Sequence, residues 1–260
     1  MSARPHHPDP DFATTLAHGL ALLQCFGLGD GALSNKALSD RTGLSKATVS
    51  RLTYTLAARG LLLYDADLRR YRLGSTALSL GYPLLASLTV RQLARPRMAQ
   101  LADRVGGSVS LGMRDGTRMV YVETSRGHES SGFRPDIGGA LPMLATAMGR
   151  AWLCQAPAAL RDDVIAAIRK EAPDQWTRHK EALALSSETF AAHGYCVCEA
   201  SWLQDVHGVA VPLRVETEGE FLVFNCGVPR ARMTPRKLER EMGPLLVRMV
   251  REIESEMAAP

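Results

Sequence analysis

Residues 43–62, "GLSKATVSRLTYTLAARGLL", constrain the fold more than any other stretch, because they hold a helix start, a one-sided apolar stripe and a helix stop. Ser45 is an N-cap type residue whose side-chain oxygen can accept from a first-turn amide. Val49, Leu52 and Leu56 fall on one face of a helix running from 45 to about 59, and Gly60 ends it. Leucine requires a core. The opposite face carries Ala47, Ser50, Arg51, Tyr54 and Ala58, which is neither a core nor an ordinary solvated helix surface.

The neighbouring segments limit what that helix can be. Upstream, "DFATTLAHGLALLQCFG" spaces Leu16, Leu20, Leu23 and Phe26 as an amphipathic helix, and "GLGDGA" breaks it. "LSNKALSDRTG" then reads as a short helix capped by Ser34 and stopped by Gly43. Downstream, "LLLYDADLRRYRLG" holds two short β-prone runs separated by "DADL", with Arg70 and Arg72 alternating with Tyr71 and Leu73. Helix, short helix, turn, helix and hairpin is the order of a winged helix-turn-helix. The predicted module covers residues 12–74, behind a flexible Pro/His/Asp-rich tail over 1–11.

Charge is concentrated in the same place. Between Ser34 and Gly74, eight Lys/Arg (Lys36, Arg41, Lys46, Arg51, Arg59, Arg69, Arg70, Arg72) meet three acids (Asp40, Asp65, Asp67). That stretch is therefore +5, which leaves −1 for the rest of a chain of net charge +4. A basic module on a near-neutral body is the footprint of a polyanion binder. Within it, Ala47 lets the helix approach base edges, Ser50 supplies a hydroxyl, and Arg51 can hold guanine bidentately, with Tyr54 in the same row. Ser45, Lys46 and Thr48 at the helix start suit phosphate, as does Lys36 on the preceding helix. Arg69 and Arg70 at the hairpin tip can reach a backbone or a minor groove. The partner these residues imply is double-stranded DNA.

The remainder reads as a connector and a second, larger module. Residues 75–106 look helical, and Pro83 and Pro96 are expected to kink or divide them. In "SVSLGMRDGTRMVYVETS" two alternating strands meet at Asp115-Gly116, a hairpin signal. A Gly/Pro-rich loop leads to helix-forming "MLATAMGRAWLCQAP", then helical stretches near 157–171 and 175–193. Strands follow at "YCVCEA", "HGVAVPLRV" and "EFLVFNCGV". A last helix starts at Thr234-Pro235 with the stripe Leu238, Met242, Leu245, Met249, Ile253. The fold class is α+β, with the second module spanning 107–258.

These segments resemble those of the IclR-type bacterial transcriptional regulators. "GLSKATVSRL" and the closing "YRLG" match the family's recognition helix and wing, "GGALPMLATAMGRAWL" its Pro-Leu-His-Ala-Thr-Ala helix entry, and "HGYCVCEASWLQDVHGVAVPL" its Gly-Tyr to Ala-x-Pro strand pair. The resemblance runs from about Phe12 to the C-terminal helix. It implies a GAF-like α/β domain that binds a small metabolite, often a carboxylic acid, between the sheet and a helix beginning near Pro142. The backbone amides of Ala147 and Met148 match the family's anion-holding positions, and helix N-terminal amides suit that task. The family's late-strand contacts map to Cys198, Gly208, Asn225 and Gly227, with Leu144 in place of a common His and Arg150 of a common Lys. Met113, Tyr121 and Phe133 are further candidates for lining the cavity. The resemblance also implies a homodimer or a dimer of dimers on a pseudo-palindromic operator, with the effector acting through the 75–106 connector.

Other chemistries find little support. Cys196-x-Cys198 has His193 and His207 nearby in sequence but no second metal-ligand pair, so no metal or cofactor is expected. "GLGDG" follows a helix rather than a strand and is not a dinucleotide loop. A Cys198–His207–Asp205 arrangement defines the enzymatic alternative, a small-molecule enzyme tethered to nucleic acid, although no nucleophile elbow accompanies it. A protein-binding winged helix is a third possibility. Five cysteines in apolar surroundings, no signal-peptide core and no membrane-length apolar run predict reduced thiols, a cytoplasmic location and no membrane partner.

Overall fold

Hydroxyl caps and left-handed glycines punctuate the N-terminal part of the computed structural model, which describes residues 11–27, 29–128, 135–200, 202–217 and 219–258. The expected tail therefore lies almost wholly outside the described residues. Two compact units divide at Ala86/Ser87. In the first, α1 (Thr14–Leu23) precedes α2 (Asn35–Thr42) and α3 (Lys46–Ala58). The Ser34 hydroxyl accepts from the Ala37 amide at 3.2 Å, and α2 closes at Gly43, whose φ of 72° favours glycine. The Ser45 hydroxyl accepts from the Thr48 amide, also at 3.2 Å, and starts α3.

Leu22, Leu33, Leu38, Val49 and Leu52 close the small core of this unit. β1 (Leu62–Asp65) and β2 (Arg70–Leu73) pair antiparallel from Leu62↔Leu73 to Asp65↔Arg70. A bridge from Leu33 to Tyr71 ties the hairpin to the segment before α2.

The 75–106 stretch forms α4 (Ser75–Ser87) and α5 (Val90–Val105). Neither expected proline breakpoint divides it, because Pro83 lies inside α4, Pro96 lies inside α5, and the helices part at Leu88-Thr89. A helical proline removes one hydrogen bond. In α5 the burial of Ala94, Met98, Leu101 and Ala102 against β3 (Ser108–Asp115) and β4 (Arg118–Arg126) outweighs that loss.

The second unit is built on a six-stranded antiparallel sheet. β5 (Ala140–Pro142), β6 (Cys196–Glu199), β7 (Val206–Pro212) and β8 (Val223–Pro229) complete it, in the order β5-β4-β3-β8-β7-β6. α6 (Ala147–Gln155) packs on one face and is backed by α8 (Pro173–His193), which α7 (Ala158–Glu171) precedes. On the other face lie α5 and α10 (Gly243–Met257). Gly149 makes the α6 contact possible, since a Cβ there would overlap the Met143 carbonyl.

Three sequence expectations shift. "MLATAMG" does not begin a helix near Pro142; Ala140–Pro142 pairs with β4, and the helix starts at Ala147, where the Thr146 hydroxyl accepts from Gly149 N at 3.2 Å. A bulge between the Leu111↔Glu123 and Gly112↔Tyr121 pairs leaves Val122 extra, so Tyr121 and Glu123 point to opposite faces. The final helix opens with a turn over Pro235–Lys237 (α9) and a π-helical turn over Leu238–Met242. That wider turn rotates the apolar stripe by one residue, so Leu246 is buried and Leu245 only partly so.

Candidate nucleic-acid interface and ligand pocket

α3 sorts its residues as the 3.6-residue period requires. Val49, Leu52 and Thr53 are buried, whereas Ser45, Lys46, Ala47, Ser50, Arg51 and Tyr54 are exposed, Tyr54 to 75%. Such an exposed aromatic on a helix whose other side is core is available to a partner. Thr48 is half-buried and its hydroxyl shares a 2.9 Å hydrogen bond with Ser45, so it belongs to the cap as much as to the outer row. Lys36 is exposed on α2. Arg69 (φ 50°) turns the hairpin, the Leu68 amide donates to Asp65 at 2.9 Å, and both Arg69 and Arg70 are exposed.

One member of the basic cluster is committed elsewhere. Arg41 donates to both carboxylate oxygens of Asp30, at 2.6 and 2.9 Å, and to the Cys25 carbonyl at 2.7 Å. The Arg41 guanidinium, helped by the Gly27 amide, holds the Asp30 carboxyl down at about 2. No counting of charges along the chain separates Arg41 from its basic neighbours.

In the second unit, a cavity of about 30 Å³ lies between the start of α6 and strands β4, β6, β7 and β8. Ala147, Cys198, Gly208, Asn225 and Gly227 line it, which are five of the six residues carried over from the family resemblance. Met148 does not, because its side chain runs under β3 against Gly112. Its amide, like that of Ala147, lies in the first turn of α6, where no intrahelical carbonyl can accept. Tyr121 also lines the cavity, Met113 does not, and Phe133 lies outside the described residues. Thr146, Leu141, Trp202, Leu203 and Val206 complete the wall. Sequence reasoning passed over Thr146, although a threonine just before a helical run is itself a cap signal.

Among the described residues the wall has no acidic, basic or imidazole side chain. Burial pushes the Tyr121 phenol well up, so it remains a neutral donor. Cys198 Sγ donates to the Ala145 carbonyl at 3.2 Å. The pocket can thus hold a polar or anionic group through amide N–H and O–H donors.

The enzymatic arrangement does not assemble. Cys198 is cross-strand partner to Gly208, and alternation turns the neighbouring His207 to the opposite face of the sheet. Among the described residues no group of three or more His, Cys, Asp or Glu is placed to hold a metal ion, and no helix is long and apolar enough to cross a membrane.

A model of the IclR helix-turn-helix domain matches residues 15–66, and one of the bacterial transcriptional regulator IclR C-terminal region matches residues 83–255. The chain belongs to the IclR family. It is a transcriptional regulator with the two parts of that family, a helix-turn-helix and an effector-binding C-terminal domain. The HTH-type transcriptional regulator TsaQ1/TsaQ2 of Comamonas testosteroni is 36% identical over 247 residues, covering 94% of this chain and 88% of that protein. The crystal structure of an IclR family transcriptional regulator from Brucella abortus matches with a TM-score of 0.83 at 39% identity, covering 97% of this chain and 95% of that one. An IclR homolog from Microbacterium hydrocarbonoxydans, solved in complex with 4-hydroxybenzoate, has the same fold at 23% identity and a TM-score of 0.74, over 95% of this chain and 100% of that one.

Proposed function

We propose that this IclR-family chain lays α3 in the major groove of operator DNA, with Ala47, Ser50, Arg51 and Tyr54 toward the bases. Ser45, Lys46, Thr48 and Lys36 meet phosphates, and Arg69 and Arg70 contact the backbone or minor groove. The observation that carries this reading is the exposed small, hydroxyl and arginine row on a helix whose reverse side buries Val49, Leu52 and Thr53 and half-buries Leu56.

The effector in this reading is an organic carboxylate held by the Ala147 and Met148 amides and the Tyr121 hydroxyl, with Cys198, Gly208, Asn225 and Gly227 forming the rest of the site. Free first-turn amides favour an anion without a cationic side chain. The 4-hydroxybenzoate of the Microbacterium homolog is a carboxylate of this kind. A cavity of about 30 Å³ admits roughly two waters, so a ligand must displace part of its wall. That displacement supplies two states with different effector affinity, as allostery requires.

The working unit is a homodimer or a dimer of dimers in the cytoplasm, and the pocket binds without catalysing a reaction. α4 buries none of its residues and leaves Leu78, Leu80 and Tyr82 exposed, while α1 exposes Leu16 and Leu20, apolar surface suited to a second copy.

The test is fluorescence anisotropy on DNA from upstream of the chain's own gene, across a salt titration and a panel of small carboxylates. Binding should weaken steeply from about 50 to 200 mM salt. At least one carboxylate should change the affinity. Salt-insensitive binding would remove the DNA reading, and an affinity indifferent to the whole panel would remove the effector reading.

A further inference from the structure

Cys154 on α6 and Cys196 at the start of β6 bring their sulfurs to 3.8 Å, across 42 residues of sequence. Neither lines the pocket. Cys154 is partly exposed and lies 3.6 Å from the Ser187 hydroxyl on α8, whereas Cys196 is fully buried. One helical turn before Cys154, Arg150 is only 3% exposed. Its Nε donates to the Leu144 carbonyl at 2.7 Å, and its Nη2 is buried without a partner. A buried guanidinium with an unsatisfied N–H group is costly. An anion one turn along the same helix face would offset that cost.

Cys154 is the side chain placed to carry that anion. The Cys196 thiol donates to it, sharing its proton with the Ser186 carbonyl at 3.7 Å, while the Ser187 hydroxyl lies 3.6 Å away and donates to the Leu183 carbonyl at 3.0 Å. The charged groups acting on it, Arg161 and Arg150, are both cationic. Together these hold the Cys154 thiol below the usual cysteine range, with the Cys196 contact contributing most. The same contact and burial push Cys196 up, so it keeps its proton while Cys154 is charged. A thiolate in the field of two guanidinium groups, with a second thiol in reach, is the arrangement that peroxide oxidation selects.

We propose that Cys154 and Cys196 form a hydroperoxide-oxidisable dithiol whose disulfide staples α6 to β6, the elements that carry Ala147 and Cys198 into the ligand pocket. The Cys154 thiolate attacks the distal oxygen of a hydroperoxide. An S–O bond forms, the O–O bond breaks, and the alkoxide or hydroxide leaves and takes up a proton. Cys154 is then a sulfenic acid. Loss of the Cys154 charge removes the main influence holding the proton on Cys196, whose sulfur attacks Cys154. The S–O bond breaks, and hydroxide leaves as water with the Cys196 proton. Two electrons pass from two thiols to one peroxide, giving a disulfide, an alcohol or water, and a further water. Closure requires the sulfurs to move from 3.8 Å to about 2.05 Å.

The test treats the full reduced chain with equimolar hydrogen peroxide and reads intact mass and a non-reducing peptide map. The expected product is lighter by about 2 Da, with Cys154 linked to Cys196, and is reversed by dithiothreitol. Cys154→Ser should abolish the mass loss, and Cys196→Ser should leave a sulfenic acid on Cys154 that a dione reagent traps. In the wild type, Cys154 should be alkylated at least about tenfold faster than Cys25 or Cys226 at neutral pH. No mass loss, a disulfide that survives Cys154→Ser, or oxidation spread evenly over the five thiols would each overturn the proposal. The wild-type map decides the matter even if a serine variant folds poorly.

Discussion

Arg91 Nη2 donates to Glu123 Oε2 at 3.1 Å in the interior of the C-terminal unit, joining α5 to β4 with side chains 12% and 5% exposed. Arg95 reaches the same oxygen at 2.8 Å from a more exposed position, and the Thr124 amide donates to the other. The bulge at Val122 makes this possible by turning Glu123 away from the pocket that Tyr121 faces. Glu123→Leu should therefore cost about 3–5 kcal/mol in urea unfolding, because it deprives a largely buried guanidinium of its carboxylate. Arg91→Met combined with Glu123→Leu should recover much of that loss. A single variant as stable as the wild type would show that the pair contributes nothing.

The α3 row and the hairpin tip should respond differently to truncation. Arg51→Ala should weaken operator binding by about 1–3 kcal/mol and relax preference at one base position. Arg70→Ala should weaken binding to all sequences alike and reduce the salt slope by about one. Anisotropy with operator and scrambled duplexes at several salt concentrations separates the two effects. Tyr54, on the same exposed row as Arg51, should behave like Arg51 rather than Arg70.

Gly208 gives access to the pocket without disturbing its frame. A Cβ there would sit 3.6 Å from Asn225 Oδ1 and 3.7 Å from the Ala147 Cβ, ordinary contact distances. Gly208→Val should fold normally and fill the cavity. A carboxylate at about 100 times its Kd should stabilise the wild type by about 2.7 kcal/mol and the variant hardly at all. Thermal shift reads this directly, and DNA binding without effector should be retained. Equal shifts in both proteins would move the effector site elsewhere.

Acid should loosen the N-terminal unit through Asp30. Its folded-state pKa, about 2, lies below the unfolded carboxyl value of about 3.9. The Arg41 pair therefore contributes its full share of stability above that unfolded value and loses it as pH falls toward 2. The gap in Tm between wild type and Asp30→Asn should be constant from pH 7 to pH 5 and close between roughly pH 4 and pH 2. Circular dichroism melts of both proteins at each pH test this, and a gap that stays constant to pH 2 would contradict it.

Where local chemistry decides the structure, the sequence reveals it. Ser34, Gly43 and Ser45 act within a few residues of themselves, so the ends of α2 and α3 follow from the letters alone. The α3 outer row follows equally well, since helical periodicity separates Arg51 and Tyr54 from Val49 and Leu52. Features set by distant partners do not. The pairing of Ala140–Pro142 with β4 delays α6 to Ala147, and the Val122 bulge breaks strand alternation. The π turn at Leu238–Met242 exchanges Leu245 for Leu246 in the core. Only the family resemblance points to the pocket; Thr146 carries a local cap signal, whereas the Trp202 and Leu203 walls come from a segment with none. Arg41 carries the same charge as its basic neighbours, and only the fold, by bringing Asp30 from 11 residues away into a bidentate contact, sets it apart.

α4 spans 13 residues without burying one of them. Peptides of that length are marginal helices in water, and this one also contains Pro83. If the proposed dimer forms through its exposed Leu78, Leu80 and Tyr82, dilution should melt α4 before either unit unfolds. Communication along the chain would then be a property of the population, available only at concentrations where two molecules meet.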